Sequence, residues 1–225
     1  MTRPDAVVGF VIDSDERVGG GGFLEIRRIR MRNRRADGSI SAQYCCDSIA
    51  RPYGQDAVIV AVFARRGDRV DILLRDQLRP ALAKGRESSR APLPEAPPEM
   101  FLTELVAGIL EVEDVGEAGL RTRAAAETLE EAGFAVDPER VILLGAGALP
   151  SPGSMVEKFY FTAVEVDPAT QQPLGGDGSP MEEGASTRWI ELNAAIAACV
   201  EGTLFDLKTE AGLRRLRDHL ASANK

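Results

Sequence analysis

The chain has 225 residues and a formal net charge of −8 at pH 7, with 27 lysines and arginines against 35 aspartates and glutamates. Hydrophobic residues make up 44% of it and charged residues 28%, which is typical of a soluble globular protein. The acidic balance argues against a general surface for nucleic acids or anionic membranes. The length allows one large domain, or a domain with a small arm.

The cysteines, the apolar runs and the catalytic motifs that the sequence lacks bear on where the protein is located and on what chemistry it can perform. The cysteines, Cys45, Cys46 and Cys199, lack metal-ligand spacing and predict free thiols in a reducing compartment. No apolar run reaches the ~20 residues of a membrane span, and the start lacks the apolar core of a signal peptide. We therefore expect a cytoplasmic protein.

A single histidine and the absence of a G-x-x-x-x-G-K-[ST] run argue against Ser/His/Asp, Cys/His and P-loop sites.

Residues 1–55 predict a small N-terminal β arm ahead of a main domain at 56–225. An apolar run at 6–12 predicts an edge strand. Residues 23–35 alternate apolar and arginine side chains, and Asp37-Gly38 predicts a hairpin turn into a returning strand at 40–49. The arginines allow two interpretations: phosphate or nucleic-acid binding, or a solvated strand face or dimer contact. The net negative charge of the chain favours the second interpretation, a solvated strand face or a dimer contact.

The main domain begins with two predicted strands. Residues 57–63 are continuously apolar, which predicts burial on both faces, and a second strand is predicted over 70–74. Arg79 follows it, either as a bidentate phosphate ligand or as a surface ion-pair partner. The Pro-, Ser- and Glu-rich stretch at 83–100 predicts a long insertion, which is either a lid or a surface loop without function.

Further strands and helices alternate along the rest of the chain. Strands are predicted at 101–109, 141–144, 159–166 and 187–192, and helices at 117–132, 194–202 and 210–223. Stretches rich in glycine and proline at 145–154 and 167–184 predict loops. This interleaving is typical of an α/β fold.

The helix predicted at 117–132 carries three carboxylates within one turn, Glu127, Glu130 and Glu131. Their spacing stacks them on one face, which we expect to be exposed, and like charges there repel one another. A hard divalent cation such as Mg²⁺ would reverse that repulsion, because it binds carboxylate oxygens. The alternative is an ordinary solvated helix face.

The same helix has a predicted inward stripe and a predicted end. Gly133 suits the left-handed position that ends a helix. The stripe that could pack inward consists of Ala118, Ala125, Leu129 and Ala132.

Together, the run Glu104 to Gly108, the sequence Glu127-Thr128-Leu129-Glu130-Glu131-Ala132-Gly133, and Glu157 after Ser151-Pro152-Gly153 resemble the Nudix hydrolase family. The box of that family reads G-x5-E-x7-R-E-U-x-E-E-x-G-U, where U is aliphatic. The similarity is to the branch that hydrolyses ADP-ribose and other nucleoside diphosphate sugars, and it extends from about residue 56 to the C-terminus.

The sequence departs from this box in three places. Ala126 stands where the family has an arginine that buttresses the carboxylates, and Thr128 replaces an aliphatic residue. The chain between Gly108 and Glu127 is longer than usual, so counting does not place the first glutamate of the box, and Asp114 and Glu117 both lie near it. Arg123, one turn before Glu127, could substitute for the missing arginine.

The resemblance implies an α/β/α sandwich with a mixed sheet and hydrolysis of a diphosphate linkage. It implies Mg²⁺, or alternatively Mn²⁺, bound by Glu127, Glu130, Glu131 and the carbonyl of Ala107. Other roles follow from it: Glu157 or Glu130 as catalytic carboxylate, Arg79 and Glu104 in substrate binding, and homodimerisation through the N-terminal arm. Two alternatives remain, a nucleotide-binding or regulatory module without turnover and a Nudix hydrolase of another substrate class.

Overall fold

The structure, a computed structural model, describes residues 3–51, 54–95, 99–175 and 178–223. The chain divides into two compact units. The first contains residues 1–55 together with 149–158, and the second contains 56–148 and 159–225. The loop that carries Glu157 therefore groups with the N-terminal arm, although the sequence analysis had assigned it to the main domain.

The first unit is built on an antiparallel sheet of three strands, β1 (Val7–Gly19), β2 (Glu25–Arg35) and β3 (Tyr44–Ala50), in the order β1-β2-β3. Arginines of β2 pair with acids of the strands beside it. The Nε of Arg28 lies 2.8 Å from Asp47, and Arg30 lies 3.2 Å from Glu16. This pairing supports the interpretation of the arginine run as a solvated strand face.

The second unit contains a mixed seven-stranded sheet with the order β10-β5-β4-β9-β8, in which β6 pairs with β5 and β7 with β4. β4 is antiparallel to β5 and β7 and parallel to β9. The strands are β4 (Ala57–Arg66), β5 (Arg69–Leu78), β6 (Phe101–Glu104), β7 (Val106–Ile109), β8 (Ile142–Leu143), β9 (Phe159–Glu165) and β10 (Ser186–Glu191).

Helices cover both faces of this sheet. α2 (Gly116–Ala132) packs on one face, and α3 (Leu192–Glu201) and α4 (Leu207–Ala223) pack on the other, whereas the short helix α1 (Pro80–Gly85) has no buried residue. β4 is buried from Ala57 to Ala64 because successive side chains enter opposite cores. Ile59, Ala61 and Phe63 share a core with α3 and α4. Val58, Val60 and Val62 share the other with α2. The α/β sandwich and the strand buried on both faces are thus confirmed.

Some predicted boundaries and faces were wrong. The strand expected at 101–109 breaks at Leu105, because β6 pairs with β5 and β7 pairs with β4. The last helix begins at Leu207 rather than 210, since the Asp206 carboxylate accepts the Thr209 N–H at 3.0 Å. The short helix α1 (Pro80–Gly85) overlaps the start of the insertion that was predicted at 83–100.

The inward face of α2 differs from the predicted stripe. Ala118 and Leu129 are exposed, whereas Ala124 and Thr128 are fully buried. The Thr128 hydroxyl donates to the Ala124 carbonyl at 2.6 Å, which satisfies this polar group inside the core. Within the described ranges, no helix is long and apolar enough to cross a membrane.

The predicted end of α2 is confirmed. Gly133 has φ 76° and ψ 24°, and its N–H donates to the Leu129 carbonyl. A Cβ at this position would overlap the carbonyl oxygen of Gln172, whose own N–H donates to the Gly133 carbonyl at 2.8 Å. Gly202 ends α3 in the same conformation, with φ 79°, but has open space where a Cβ would lie.

These two glycines predict a difference in stability between matched variants. Gly202→Ala should lower the free energy of unfolding by about 1 kcal/mol, because only the left-handed conformation is strained. Gly133→Ala should lower it by about 2–4 kcal/mol, since the backbone around Gln172 must also move. Urea unfolding of both variants tests this, and equal losses would contradict the contact with Gln172.

Candidate metal and substrate site

Two of the three predicted carboxylates of α2 turn towards the sheet. The side chains of Glu127 and Glu131 are only 12% and 14% exposed, whereas Glu130 faces solvent. The expectation of an exposed carboxylate face was therefore wrong for two of its three members. Burial of a carboxylate is costly unless a cation or hydrogen-bond donors compensate it.

A glycine in β7 makes room for Glu127. A Cβ on Gly108 would overlap the Glu127 carboxylate, so this position admits no side chain while the glutamate keeps its place. The nearest described cation is Arg123, whose Nη1 lies 3.9 Å from Glu127 Oε1. Arg123 is engaged elsewhere, because its Nε donates to Asp114 Oδ2 at 2.8 Å. Glu127 is thus buried with only a distant, shared counterion.

Glu131 is held at both of its oxygens. The Arg75 Nη1 donates to Oε1, and the Ala107 backbone N–H donates to Oε2 at 3.0 Å. Arg75 is itself buried, with 3% of its side chain exposed, and its Nη2 donates to Glu182 Oε1 at 2.8 Å. Strands β5 and β7 therefore fix the orientation of Glu131.

The two carboxyl groups have raised pKa values. Burial, reinforced by the charges of Glu131 and Glu130, raises the pKa of Glu127 to about 8. Burial also raises the pKa of Glu131, while Arg75 and the Ala107 N–H act in the opposite direction. The charges of Arg75 and Arg123 offset the effect of burial only in part, and a bound cation would add positive charge to the pair.

The chemistry of this pair fits a magnesium ion. No three His, Cys, Asp or Glu side chains converge in a metal-binding group within the ranges that the structure describes. Mg²⁺ binds through one or two protein carboxylates and completes its shell with water and substrate phosphates. Glu127 and Glu131 are two carboxylates that could bind such an ion, and Ala107 lies beside them in β7.

A second polar cluster surrounds Glu104, which is 2% exposed. Its carboxylate accepts hydrogen bonds from Arg79 Nη2 and from Lys208 Nζ. Lys208 also lies 2.9 Å from Asp206, and the Glu104 charge contributes to the raised pKa of Glu131. The structure thus brings together Arg79 and Glu104, both predicted for substrate binding, and adds Lys208.

Glu157 belongs to the first unit. Its carboxylate accepts a hydrogen bond from Arg51 Nη2, and the side chains are 10% and 14% exposed. The Arg51 guanidinium also lies over the Phe23 ring, 5.6 Å from its centroid. The catalytic role of Glu157 stays a prediction.

Sequence reasoning missed Arg75 and Lys208. The period of two along β5 places Arg75 and Gln77 on the face that continues to Arg79, and this alternation was a usable signal. Both Arg75 and Gln77 are buried. Lys208 gave no such signal, because its partner Glu104 is 104 residues away.

Among solved structures, one shares this fold over nearly the whole chain. A crystal structure of an ADP compounds hydrolase is similar with a TM-score of 0.67 and 13% identity, over 97% of each chain. A C. elegans Ap4A hydrolase binary complex has a TM-score of 0.43 and 16% identity over 74% of this chain and 98% of its own. Shewanella oneidensis NrtR, complexed with a 27mer DNA, has a TM-score of 0.45 and 12% identity over 74% of this chain and 62% of its own.

No protein-family model and no curated protein matches the sequence. The similarity to the ADP compounds hydrolase extends over nearly the whole chain, and at 13% identity it concerns the fold. The α/β/α sandwich with a mixed sheet, which the resemblance predicted, is thereby confirmed.

The raised pKa of Glu127 predicts a pH-dependent stability of the metal-free protein. Between a pKa of about 4.3 in the unfolded chain and about 8 in the folded state, the folded protein retains a proton that the unfolded chain releases. The free energy of unfolding therefore falls as the pH rises through this range. Glu127→Gln should remove this fall and exceed the unaltered protein at pH 8 by on the order of 2–4 kcal/mol.

Urea unfolding in a metal chelator at pH 5 and pH 8 measures this difference. At pH 5 the difference should be smaller, about 1 kcal/mol, because the unfolded chain has then released most of this proton while the folded protein still keeps it. Glu201→Gln, which changes an exposed glutamate at the end of α3, is the matched control. The same difference at both pH values would contradict the assignment to Glu127.

Proposed function

We propose that the chain hydrolyses the diphosphate linkage of ADP-ribose or a related nucleoside diphosphate sugar, giving a nucleoside monophosphate and a sugar phosphate. The observation that carries this proposal is the buried pair Glu127 and Glu131 beside β7, in which the nearest described cation to Glu127 lies 3.9 Å away. The similarity of the box to that Nudix branch supports the substrate class. The shared fold with an ADP compounds hydrolase is consistent with it.

The proposed roles follow from the contacts around the pair. Glu127 and Glu131 hold Mg²⁺, or Mn²⁺ in its place, with Glu130 and the Ala107 carbonyl as further candidate ligands. The cation would offset negative charge on the diphosphate and lower the pKa of a water molecule. Arg79 donates to a phosphate oxygen, and Glu104 orients Arg79 through their hydrogen bond. Glu157 or Glu130 accepts the proton of the attacking water.

A second candidate is a nucleotide-binding or regulatory module that does not turn over its ligand. Ala126 occupies the position of the family's arginine, and Arg123 is bonded to Asp114 at 2.8 Å rather than closely to Glu127. Arg123 therefore does not take over the missing contact. This candidate predicts saturable binding of a nucleotide without product formation.

Hydrolysis and the metal site can be tested together. Purified protein with Mg²⁺ should release AMP and ribose 5-phosphate from ADP-ribose, with UDP-glucose, ADP-glucose and dinucleotides as the comparison panel. Glu127→Gln should lower kcat at least 100-fold, because it removes a metal ligand without leaving a close counterion unpaired. Chromatography of the products measures the rate, and Glu201→Gln should retain it.

Glu131→Gln is a poorer test of the same site. Glu131 is the partner of the buried Arg75, so its neutralisation leaves an uncompensated charge in the fold. Turnover by Glu127→Gln at the rate of the unaltered protein would refute the metal site. Nucleotide binding without product, with either Mg²⁺ or Mn²⁺, would favour the second candidate.

We also propose that the chain forms a homodimer through its N-terminal sheet, as the family resemblance implies. Phe10 and Ile12 lie two residues apart on one face of β1 and are 56% and 53% exposed. Exposed apolar side chains grouped on a sheet are typical of a protein interface.

The double variant Phe10→Ser/Ile12→Ser should shift the mass in solution from dimer to monomer, because it removes apolar surface from that interface. Light scattering coupled to gel filtration measures the mass. Val200→Ser, on a 73% exposed residue of α3, is the control and should remain dimeric. A monomeric unaltered protein would contradict the proposal.

A further inference from the structure

Arg75 is a deeply buried charge beside the carboxylate pair. Its side chain is 3% exposed, and its two Nη atoms bond to Glu131 and Glu182. Its Nε has no hydrogen-bond partner in the described part of the chain. A guanidinium buried in this way is costly, and an apolar side chain of similar size would avoid that cost. Core packing therefore gives no reason for an arginine here.

The bonds of Arg75 determine what Glu131 can still bind. A carboxylate has about four lone-pair sites on its two oxygens. Arg75 occupies one site on Oε1 and the Ala107 N–H one on Oε2, so a site on each oxygen remains for a cation. Glu131 is thus already ordered before any ligand arrives, whereas a free glutamate would lose rotamer freedom on binding.

The guanidinium also joins two parts of the chain around the site. Glu131 lies in α2, and Glu182 lies in the 3-10 turn at Pro180–Glu182 before β10. Arg75 is planar and presents several donors in a fixed geometry, so it can hold both carboxylates together. A lysine presents one charged nitrogen and would not reproduce this geometry.

We propose that Arg75 is a positioning residue, which supplies to the carboxylate pair the arginine contact that Ala126 does not provide. Arg75 orients Glu131 and offsets part of its charge, so that a divalent cation meets an ordered Glu127–Glu131 pair. This inference rests on the metal site of the proposed function. Arg123 does not share the role, since its closest atom to Glu127 is 3.9 Å away and its Nε is bonded to Asp114.

Binding of Mn²⁺ to the metal-free protein, measured by electron paramagnetic resonance, tests the inference without reference to turnover. Arg75→Gln should weaken Mn²⁺ binding at least 10-fold, and Arg75→Lys should weaken it about 3- to 10-fold. Arg188→Gln is the matched control and should bind as the unaltered protein does. Arg188 is half-exposed and pairs at 2.6 Å with Asp76, the residue that follows Arg75 in β5.

A double variant separates positioning from general stability. If Arg75 acts through Glu131, then Arg75→Gln/Glu131→Gln should bind Mn²⁺ no more weakly than Glu131→Gln alone. The double variant also removes Arg75 and Glu131 together, so neither of these two charges is left in the fold without the other. If circular dichroism shows that Arg75→Gln does not fold, the Mn²⁺ affinity of Arg75→Lys is compared with that of the unaltered protein instead.

The outcomes distinguish this inference from the proposed function. Unchanged or tighter Mn²⁺ binding by both Arg75 variants would overturn the positioning role, and tighter binding would show that Arg75 competes with the cation. If the losses of Mn²⁺ affinity from the two single variants add up in the double variant, the positioning role would also be overturned. Failure of the unaltered protein to bind Mn²⁺ would instead overturn the metal site itself, and this inference with it.

Discussion

Two glutamates of α2 are buried against the sheet, and much of the surrounding structure compensates that burial. Gly108 leaves the space that the Glu127 carboxylate fills. Arg75 and the Ala107 N–H bind the two oxygens of Glu131. Each compensation comes from a strand, β5 or β7, so the position of α2 over these strands determines the electrostatics of the site.

The packing of α2 explains how the glutamates reach the sheet. The buried face of the helix consists of small side chains, Ala124, Ala125, Thr128 and Ala132. Small residues let the helix axis approach β4, whose Val58, Val60 and Val62 fill the core beneath. The carboxylates at 127 and 131 border this face, and a bulkier helix face would hold them farther from β7. Core packing and the site therefore depend on the same small residues.

Local patterns in the sequence predicted several features correctly. The continuous apolar run of β4, the extent of α2 and the left-handed Gly133 each depend on a few neighbouring residues. The orientation of α2 was predicted poorly, because alanines and Thr128 give a weak apolar signal while the apolar Leu129 is 42% exposed. The break at Leu105 escaped prediction because it depends on which neighbour each half of the segment pairs with.

The carboxylates were recognised from their spacing, but their environment was not predictable from it. Arg75 and Glu131 are 56 residues apart in sequence, and Glu104 and Lys208 are 104 apart. Contacts at such separations follow from the strand order, which the residue pattern alone did not determine. The burial of Glu127 likewise results from the packing of a helix on a strand that is distant in the sequence.

The distribution of charge around the pair locates the unsatisfied position. Glu131 and Glu182 share Arg75, and Glu104 is bonded to both Arg79 and Lys208. Glu127 has only a contact of 3.9 Å with an arginine already paired to Asp114, and its pKa is raised to about 8. A diphosphate entering this site would add further negative charge beside Glu127. In the proposed function, a cation at Glu127 would offset both charges at once, so cation binding and diphosphate binding should favour each other.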